Sequence, residues 1–152
     1  MKNVKLFSEK GIRLEKKCID LLISKLQNEF EFKIDSLEFN FVGTNTIVDI
    51  NKKHLDHHHS TDIITFNYSD ESYRFDAEIF ISVPEAIENS KKYGVTADNE
   101  LGRLIIHGIL HLMGYNDTIA SKKRKMKKIE NELIDKYKRY TKGLLKKWLP
   151  NL

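Results

Sequence analysis

Alternation of hydrophobic and polar residues predicts several short strands along the chain. Leu37, Phe39 and Phe41 alternate with polar residues, which is the period of a strand with one buried face. Short hydrophobic runs bounded by turn residues add further strands, with one turn expected around residues 69–72. The strands predicted on these grounds cover residues 4–7, 37–41, 63–66 and 75–82.

Hydrophobic residues at three- and four-residue intervals predict amphipathic helices between these strands. The first helix is expected from about Arg13 to Asn28, and its hydrophobic face would consist of Leu14, Cys18, Leu21, Leu22 and Leu26. A short helix follows Thr44. Another begins at Pro84, which suits the first position of a helix, and ends before Gly94.

Two more helices complete the prediction. Thr96 opens a mostly buried helix that ends at Gly114, with hydrophobic or small residues at Leu101, Leu104, Ile105, Gly108 and Leu112. A basic C-terminal helix would cover the core with Met126, Ile129, Leu133, Ile134 and Tyr137. The pattern predicts an α+β fold, a small mixed β-sheet of about four strands packed with about five helices. No repeat or linker divides residues 1–152, so we interpret them as a single domain.

Charge is unevenly distributed along the chain. Residues 118–152 hold 12 Lys or Arg and 3 Asp or Glu, a net charge of +9, whereas the preceding 117 residues hold 14 basic and 19 acidic residues, a net charge of −5. A basic segment of this density favours a polyanionic partner such as RNA. The alternative is a solvated helix face that only keeps the protein in solution.

The sequence also indicates in which cellular compartment the protein is expected. The hydrophobic runs are too short to span a bilayer. The N-terminus lacks the apolar stretch and cleavage site of a signal peptide, so we expect a cytoplasmic protein without membrane contact. Cys18 is the only cysteine, so an intrachain disulfide is excluded, and we interpret Cys18 as a small buried hydrophobic residue.

The segment with candidate chemistry reads His-Gly-Ile-Leu-His-Leu-Met-Gly-Tyr-Asn-Asp over residues 107–117. Histidines four residues apart project from one helix face, so His107 and His111 could share one ion. Gly114 can end the helix in a left-handed conformation, and the chain can then double back to bring Asp117 towards both imidazoles. The sequence therefore predicts one Zn²⁺ held by His107, His111 and Asp117 at the end of a central helix. Three protein ligands leave the fourth position to water, as in catalytic zinc sites.

The spacing is similar to that of the metzincin proteases, which share the two histidines, the glycine and a third ligand. Those enzymes place a glutamate directly after the first histidine as general base. The corresponding residue here is Gly108, which cannot transfer a proton, so peptide hydrolysis by that mechanism is disfavoured.

Residues 107–115 resemble the signature of the YbeY family, metal-dependent endoribonucleases associated with ribosomal RNA maturation and ribosome quality control. Ile50-Asn51 and the blocks at residues 61–66 and 77–82 are similar to that family's blocks in order and spacing. The resemblance is close over about residues 45–120. It implies an α+β fold with a small sheet and zinc held at the helix end.

Two positions depart from the family pattern. The family's usual third ligand is a histidine preceded by aspartate, whereas here Asn116 precedes Asp117. A carboxylate oxygen still binds zinc, but its charge should make a bound water less acidic. The family also usually has an arginine implicated in catalysis shortly before the Thr-Asp block, and the aligned residue here is Leu55. Leucine cannot stabilise transition-state charge, so this position concerns cleavage rather than metal binding.

Residues around the Thr-Asp block are further candidates. Histidines precede the block at positions 54, 57, 58 and 59. A histidine-rich loop is most often solvated, but His57 could donate a proton to the leaving oxygen if the loop faces the zinc. Thr61 and Asp62 either satisfy amides at the start of a strand or, as the resemblance implies, lie near the cleft. His57, Thr61 and Asp62 are thus the candidate catalytic residues.

The function expected from these features is a zinc-dependent endoribonuclease that prefers single strands and binds RNA through its basic C-terminal segment. The resemblance implies ribosomal RNA as the target and makes ribosomal proteins or assembly GTPases candidate partners. A ribosome-assembly RNA-binding factor with a mainly structural metal is the first alternative, which Leu55 favours. A metallopeptidase is the second, and a metal-free interaction domain ranks last.

Overall fold

The computed structural model describes residues 1–55 and 61–150. In chain order the elements in these ranges are β1 (Val4–Ser8), β2 (Ile12–Leu14), α1 (Lys16–Phe30), β3 (Lys33–Val42), α2 (Thr44–Leu55), β4 (Ile63–Asn67), β5 (Arg74–Ser82), α3 (Val83–Tyr93), α4 (Ala97–Leu112), α5 (Ala120–Tyr137), a 3₁₀ helix (Lys138–Thr141) and β6 (Leu145–Trp148). The predicted α+β class is confirmed. None of the helices described here has the length and apolar character needed to cross a membrane.

The main sheet has four strands in the order β1-β3-β5-β4. β1, β3 and β5 run parallel, and β4 pairs antiparallel with β5 at one edge. Ile79 and Ile81 of β5 lie in the main core with residues of α1, α4 and α5. Phe80 points to the other face, because side chains alternate along a strand, and packs there with Phe66 and Ile47 of α2.

α4 is enclosed on nearly all sides. Every residue from Leu101 to Met113 is buried except Arg103, His107 and His111. These three residues are four positions apart, so they form one narrow strip along the helix. The Thr96 hydroxyl caps the helix by accepting a hydrogen bond from the backbone N–H of Asn99 (3.0 Å).

The first helix differs from its prediction. α1 begins only at Lys16, because the Glu15 side chain caps it by accepting a hydrogen bond from the backbone N–H of Lys17. Leu14 belongs instead to β2, where it pairs with Leu145 of β6. Leu21 is 48% exposed, because the buried stripe of α1 runs through Ile19, Leu22, Ile23 and Leu26. The pair β2–β6 was not predicted, because it joins two short segments from opposite ends of the chain.

Substitutions at Gly108 test which side of α4 faces the sheet. A Cβ at this position would lie 2.9 Å from Cδ1 of Ile79 and 3.4 Å from Cδ1 of Ile63. In Gly108→Ala the flexible end of Ile79 has to move, which costs stability. Alanine gains about 1 kcal/mol of helix propensity, which offsets that cost, so the free energy of unfolding should change by less than about 1 kcal/mol. Gly108→Glu buries an unpaired carboxylate and should lower the free energy of unfolding by at least about 3 kcal/mol.

Urea unfolding of the two variants measures this difference. Equal stability of the glutamate and alanine variants would mean that position 108 opens to solvent and would contradict the packing of α4 on β5.

Candidate metal centre

The strip on α4 places two imidazoles side by side. The ring centroids of His107 and His111 are 4.7 Å apart and the ring planes meet at 66°. Both side chains are partly accessible, whereas their helix neighbours are buried. The burial of the rest of α4 therefore fixes the direction in which both rings point.

A turn after α4 brings the third predicted ligand back to the helix. Gly114 has a φ of +100°, a conformation that residues with a Cβ rarely adopt, and its N–H donates to the carbonyl of His111 (3.0 Å). Asn116 then stabilises the returning chain, because its Oδ1 accepts from the hydroxyl (3.0 Å) and N–H (3.4 Å) of Thr118. As a result, Oδ1 of Asp117 lies 3.9 Å from Nε2 of His111.

His107, His111 and Asp117 form a group that could hold a metal ion. Each residue offers one ligand atom, and the three atoms lie within 4.8 Å of one another. The donor set also fits, since imidazole nitrogen and carboxylate oxygen are ordinary ligands of zinc and of neighbouring transition metals. The structure therefore brings together the three residues that the sequence predicted as ligands.

Glu130 of α5 belongs to this site and was missed by the sequence analysis. Its Oε2 lies 2.7 Å from Nδ1 of His107, and the residue is only 8% exposed. With Nδ1 engaged, the free ring nitrogen of His107 is Nε2, which is the arrangement that orients many metal-binding histidines. A signal was present, since Glu130 falls four residues after Met126 and four before Ile134, on the apolar face of α5.

Electrostatics differ between the two histidines. Burial lowers the pKa of His107, but its hydrogen bond to Glu130 and the negative charges of Glu130, Asp117 and Asp62 outweigh burial and raise the pKa above its usual value. Burial and the neighbouring charge of His107 lower the pKa of His111. The two rings therefore differ in basicity. The carboxylates around them favour a positive charge between the His107 and His111 rings and Asp117.

The group formed by His107, His111 and Asp117 opens into a cleft of about 320 Å³. Thr61 and Asp62, two of the three candidate catalytic residues, line this cleft together with His107, His111 and Asp117. Burial raises the pKa of the Asp62 carboxyl, and Nδ2 of Asn89 donates a hydrogen bond to it (3.2 Å). The third candidate, His57, lies outside the described residues.

Arg103, the third residue of the strip, links the helices around the site. Its Nη1 donates to Oδ1 of Asn131 (2.6 Å) and lies 4.0 Å from Oε1 of Glu130. Its Nε lies 3.6 Å from Oε1 of Glu100. The sequence analysis did not predict these contacts to α5, which hold Arg103 next to the carboxylate that orients His107.

Comparison with known proteins identifies the family to which the chain is similar. The family model described as Endoribonuclease YbeY matches residues 3–138. The chain is 35% identical over 102 residues to Endoribonuclease YbeY of Bacteroides thetaiotaomicron, covering 67% of this chain and 74% of that protein. It is 35% identical over 124 residues to the Chlorobium limicola protein of the same name, covering 82% of each chain.

A solved structure supports the fold independently. A Thermotoga maritima protein determined in solution superimposes with a TM-score of 0.62 at 24% identity, over 88% of each chain. At this identity the likeness concerns the fold alone. The family model and the curated relatives go further and confirm the resemblance found in the sequence. The chain belongs to the YbeY endoribonuclease family.

Proposed function

We propose that this protein is a zinc-dependent endoribonuclease that cuts single-stranded ribosomal RNA during ribosome maturation and quality control. The observation that carries the proposal is the convergence of His107, His111 and Asp117 within 4.8 Å in a member of an endoribonuclease family. An RNA substrate of this kind would place the protein in the cytoplasm, and residues 1–152 would act as a single domain.

The proposed zinc ligands are Nε2 of His107, a ring nitrogen of His111 and a carboxylate oxygen of Asp117. Bound there, zinc would supply a Lewis acid beside the scissile phosphate. Glu130 would keep the His107 ring turned so that Nε2 faces the ion, since its carboxylate engages Nδ1 at 2.7 Å. Thr61 and Asp62 line the same cleft. They are the proposed catalytic residues, together with His57, which would donate a proton to the leaving oxygen.

α5 would bind the RNA backbone. Its apolar face is buried, whereas its basic residues are exposed on the outer face, at positions 122, 123, 124, 125, 127, 128 and 136. Lys123 and Lys127 also line the cavity that contains His107 and Asp117. Phosphates that contact this helix would therefore lie next to the proposed metal site. Ribosomal proteins or assembly GTPases remain the proposed protein partners.

The alternatives differ in what the site would do. A ribosome-assembly factor with a structural metal would bind RNA without cutting it, and Leu55 in place of the family's arginine favours that outcome. A metallopeptidase of the metzincin type needs a carboxylate after the first histidine. Gly108 occupies that position, and its missing Cβ would point at Ile79 rather than into the cleft.

His111→Ala tests the cleavage activity. We expect zinc-supplemented wild-type protein to cut a labelled ribosomal RNA fragment, and excess chelator to abolish the cutting. His111→Ala should lower the rate by more than about 100-fold, because even the loss of an outer-shell partner costs about 10- to 100-fold. The measurement is the initial rate of product formation on a denaturing gel.

His54→Ala is the matched control, because His54 is an exposed histidine on α2 that packs against Phe66 instead of the site. Its rate should stay within about twofold of wild type. If wild-type protein binds the fragment but does not cut it with zinc present, the enzyme proposal is wrong and the assembly-factor alternative replaces it.

Glu130→Gln tests how His107 is oriented. The variant keeps the shape of the side chain but removes its charge, and we expect zinc affinity to fall by about 10- to 100-fold. Competition with a chromophoric chelator measures this affinity. Glu132→Gln makes the same change at an exposed position of the same helix and should leave affinity unchanged. Similar affinities for the two variants would show that Glu130 does not support a metal ligand.

A further inference from the structure

A second, larger cavity adjoins the candidate metal centre. It has a volume of about 440 Å³ and lies between α3, α4 and α5. His107 and Asp117 contribute to its lining, so the cavity lies directly beside the candidate metal ligands. Ligand sites in proteins typically occupy about 300 to 1,000 Å³, and this cavity falls in the range suited to one small organic group.

The inner wall of the cavity is acidic and buried. Glu100 is only 3% exposed, and its Oε1 accepts no hydrogen bond from the described residues, although Nε of Arg103 lies 3.6 Å away. Nδ2 of Asn89 links Oδ2 of Asp62 (3.2 Å) to Oε2 of Glu100 (3.5 Å). Glu130 adds a further buried carboxylate to the lining. These groups repel phosphate and attract N–H donors.

The mouth of the cavity has the opposite character. Tyr93 is 57% exposed at the end of α3, and the Nζ atoms of Lys92 and Lys127 lie 5.5 Å and 6.0 Å from its ring centroid. Lys123, one turn before Lys127 on α5, also lines the cavity. An exposed aromatic ring beside three ammonium groups can stack on a base, because long lysine side chains move aside easily, and the ammonium groups can then contact its phosphate at the mouth.

We propose that this cavity is a nucleotide subsite that takes one unpaired base of the RNA next to the scissile bond. The base stacks on Tyr93 and turns its N–H groups towards the inner carboxylates, while its phosphate contacts Lys123 and Lys127 at the mouth. This inference rests on the proposed endoribonuclease function and adds to it a reason for single-strand preference. A base that is paired and stacked in a duplex cannot enter such a cavity.

A second metal site is the competing interpretation of these carboxylates, and the geometry disfavours it. Among the described residues, the group whose ligand atoms converge within 4.8 Å is His107, His111 and Asp117. Asp62, Glu100 and Glu130 do not converge in this way. They are spread around a cavity wall, with Asn89 and Arg103 between them.

Tyr93 variants test the subsite through binding in the absence of metal. The probe is a fluorescein-labelled single-stranded RNA hexanucleotide, measured by fluorescence anisotropy in excess chelator. Tyr93→Ala should weaken binding by about fivefold to one hundredfold, because aromatic stacking is lost. Tyr93→Phe and Tyr93→Trp should bind within about twofold of wild type or better. Affinity for a duplex of the same sequence should be the same in all four proteins.

Phe7→Ala is the matched control, since Phe7 is a 51% exposed aromatic residue on β1, at the sheet edge opposite β4. Equal hexanucleotide affinities for Tyr93→Ala and Phe7→Ala would overturn the subsite, as would a wild-type protein that does not bind the hexanucleotide. Zinc-dependent cutting of the ribosomal fragment is measured separately. If wild-type protein cuts the fragment but Tyr93→Ala binds the hexanucleotide normally, only the subsite is rejected. If wild-type protein does not cut the fragment, the endoribonuclease proposal is rejected.

Discussion

The site depends on the near-complete burial of α4. Between Leu101 and Met113 only Arg103, His107 and His111 reach the surface, so the helix cannot rotate without exposing hydrophobic residues to water and burying imidazoles in the core. Ile79 of β5 fixes the rotation further, because it packs closely against the backbone at Gly108 and leaves no room for a large side chain. The separation of the two imidazoles is thus set by the same packing that stabilises the fold.

α5 connects this core to the surface chemistry. Its inner face closes the hydrophobic core with Leu133 and Ile134, and on the same face Glu130 engages His107. Its outer face is basic, with Lys123 and Lys127 at the rim of the cavity. The docking of this one helix therefore orients the His107 ring and places positive charge at the rim of the cavity. A change that loosened the apolar contacts of α5 would disturb both.

Local sequence patterns predicted the parts of this arrangement that depend on local physics. The helical spacing of His107 and His111, and the glycine needed at position 114 for a φ of +100°, were both evident in the chain. The contact of Glu130 with His107 could not be predicted in the same way, since it joins residues 23 positions apart and depends on how two helices pack. The pairing of β2 with β6 was missed for the same reason. Leu21 shows the converse error, because a leucine at helical spacing was assigned to the core and is exposed.

The aspartate at position 117 changes the electrostatics of the whole cleft. With Asp117 as a ligand and Glu130 on the far nitrogen of His107, two carboxylates surround the proposed dication, so together they offset its charge. Such a site would attract an RNA phosphate less strongly than one built from three histidines. The remaining attraction would have to come from nearby cations, and Lys123 and Lys127 line the adjoining cavity. Lys123 and Lys127 belong to the basic C-terminal segment, so that segment would supply the attraction that the proposed ligand set lacks.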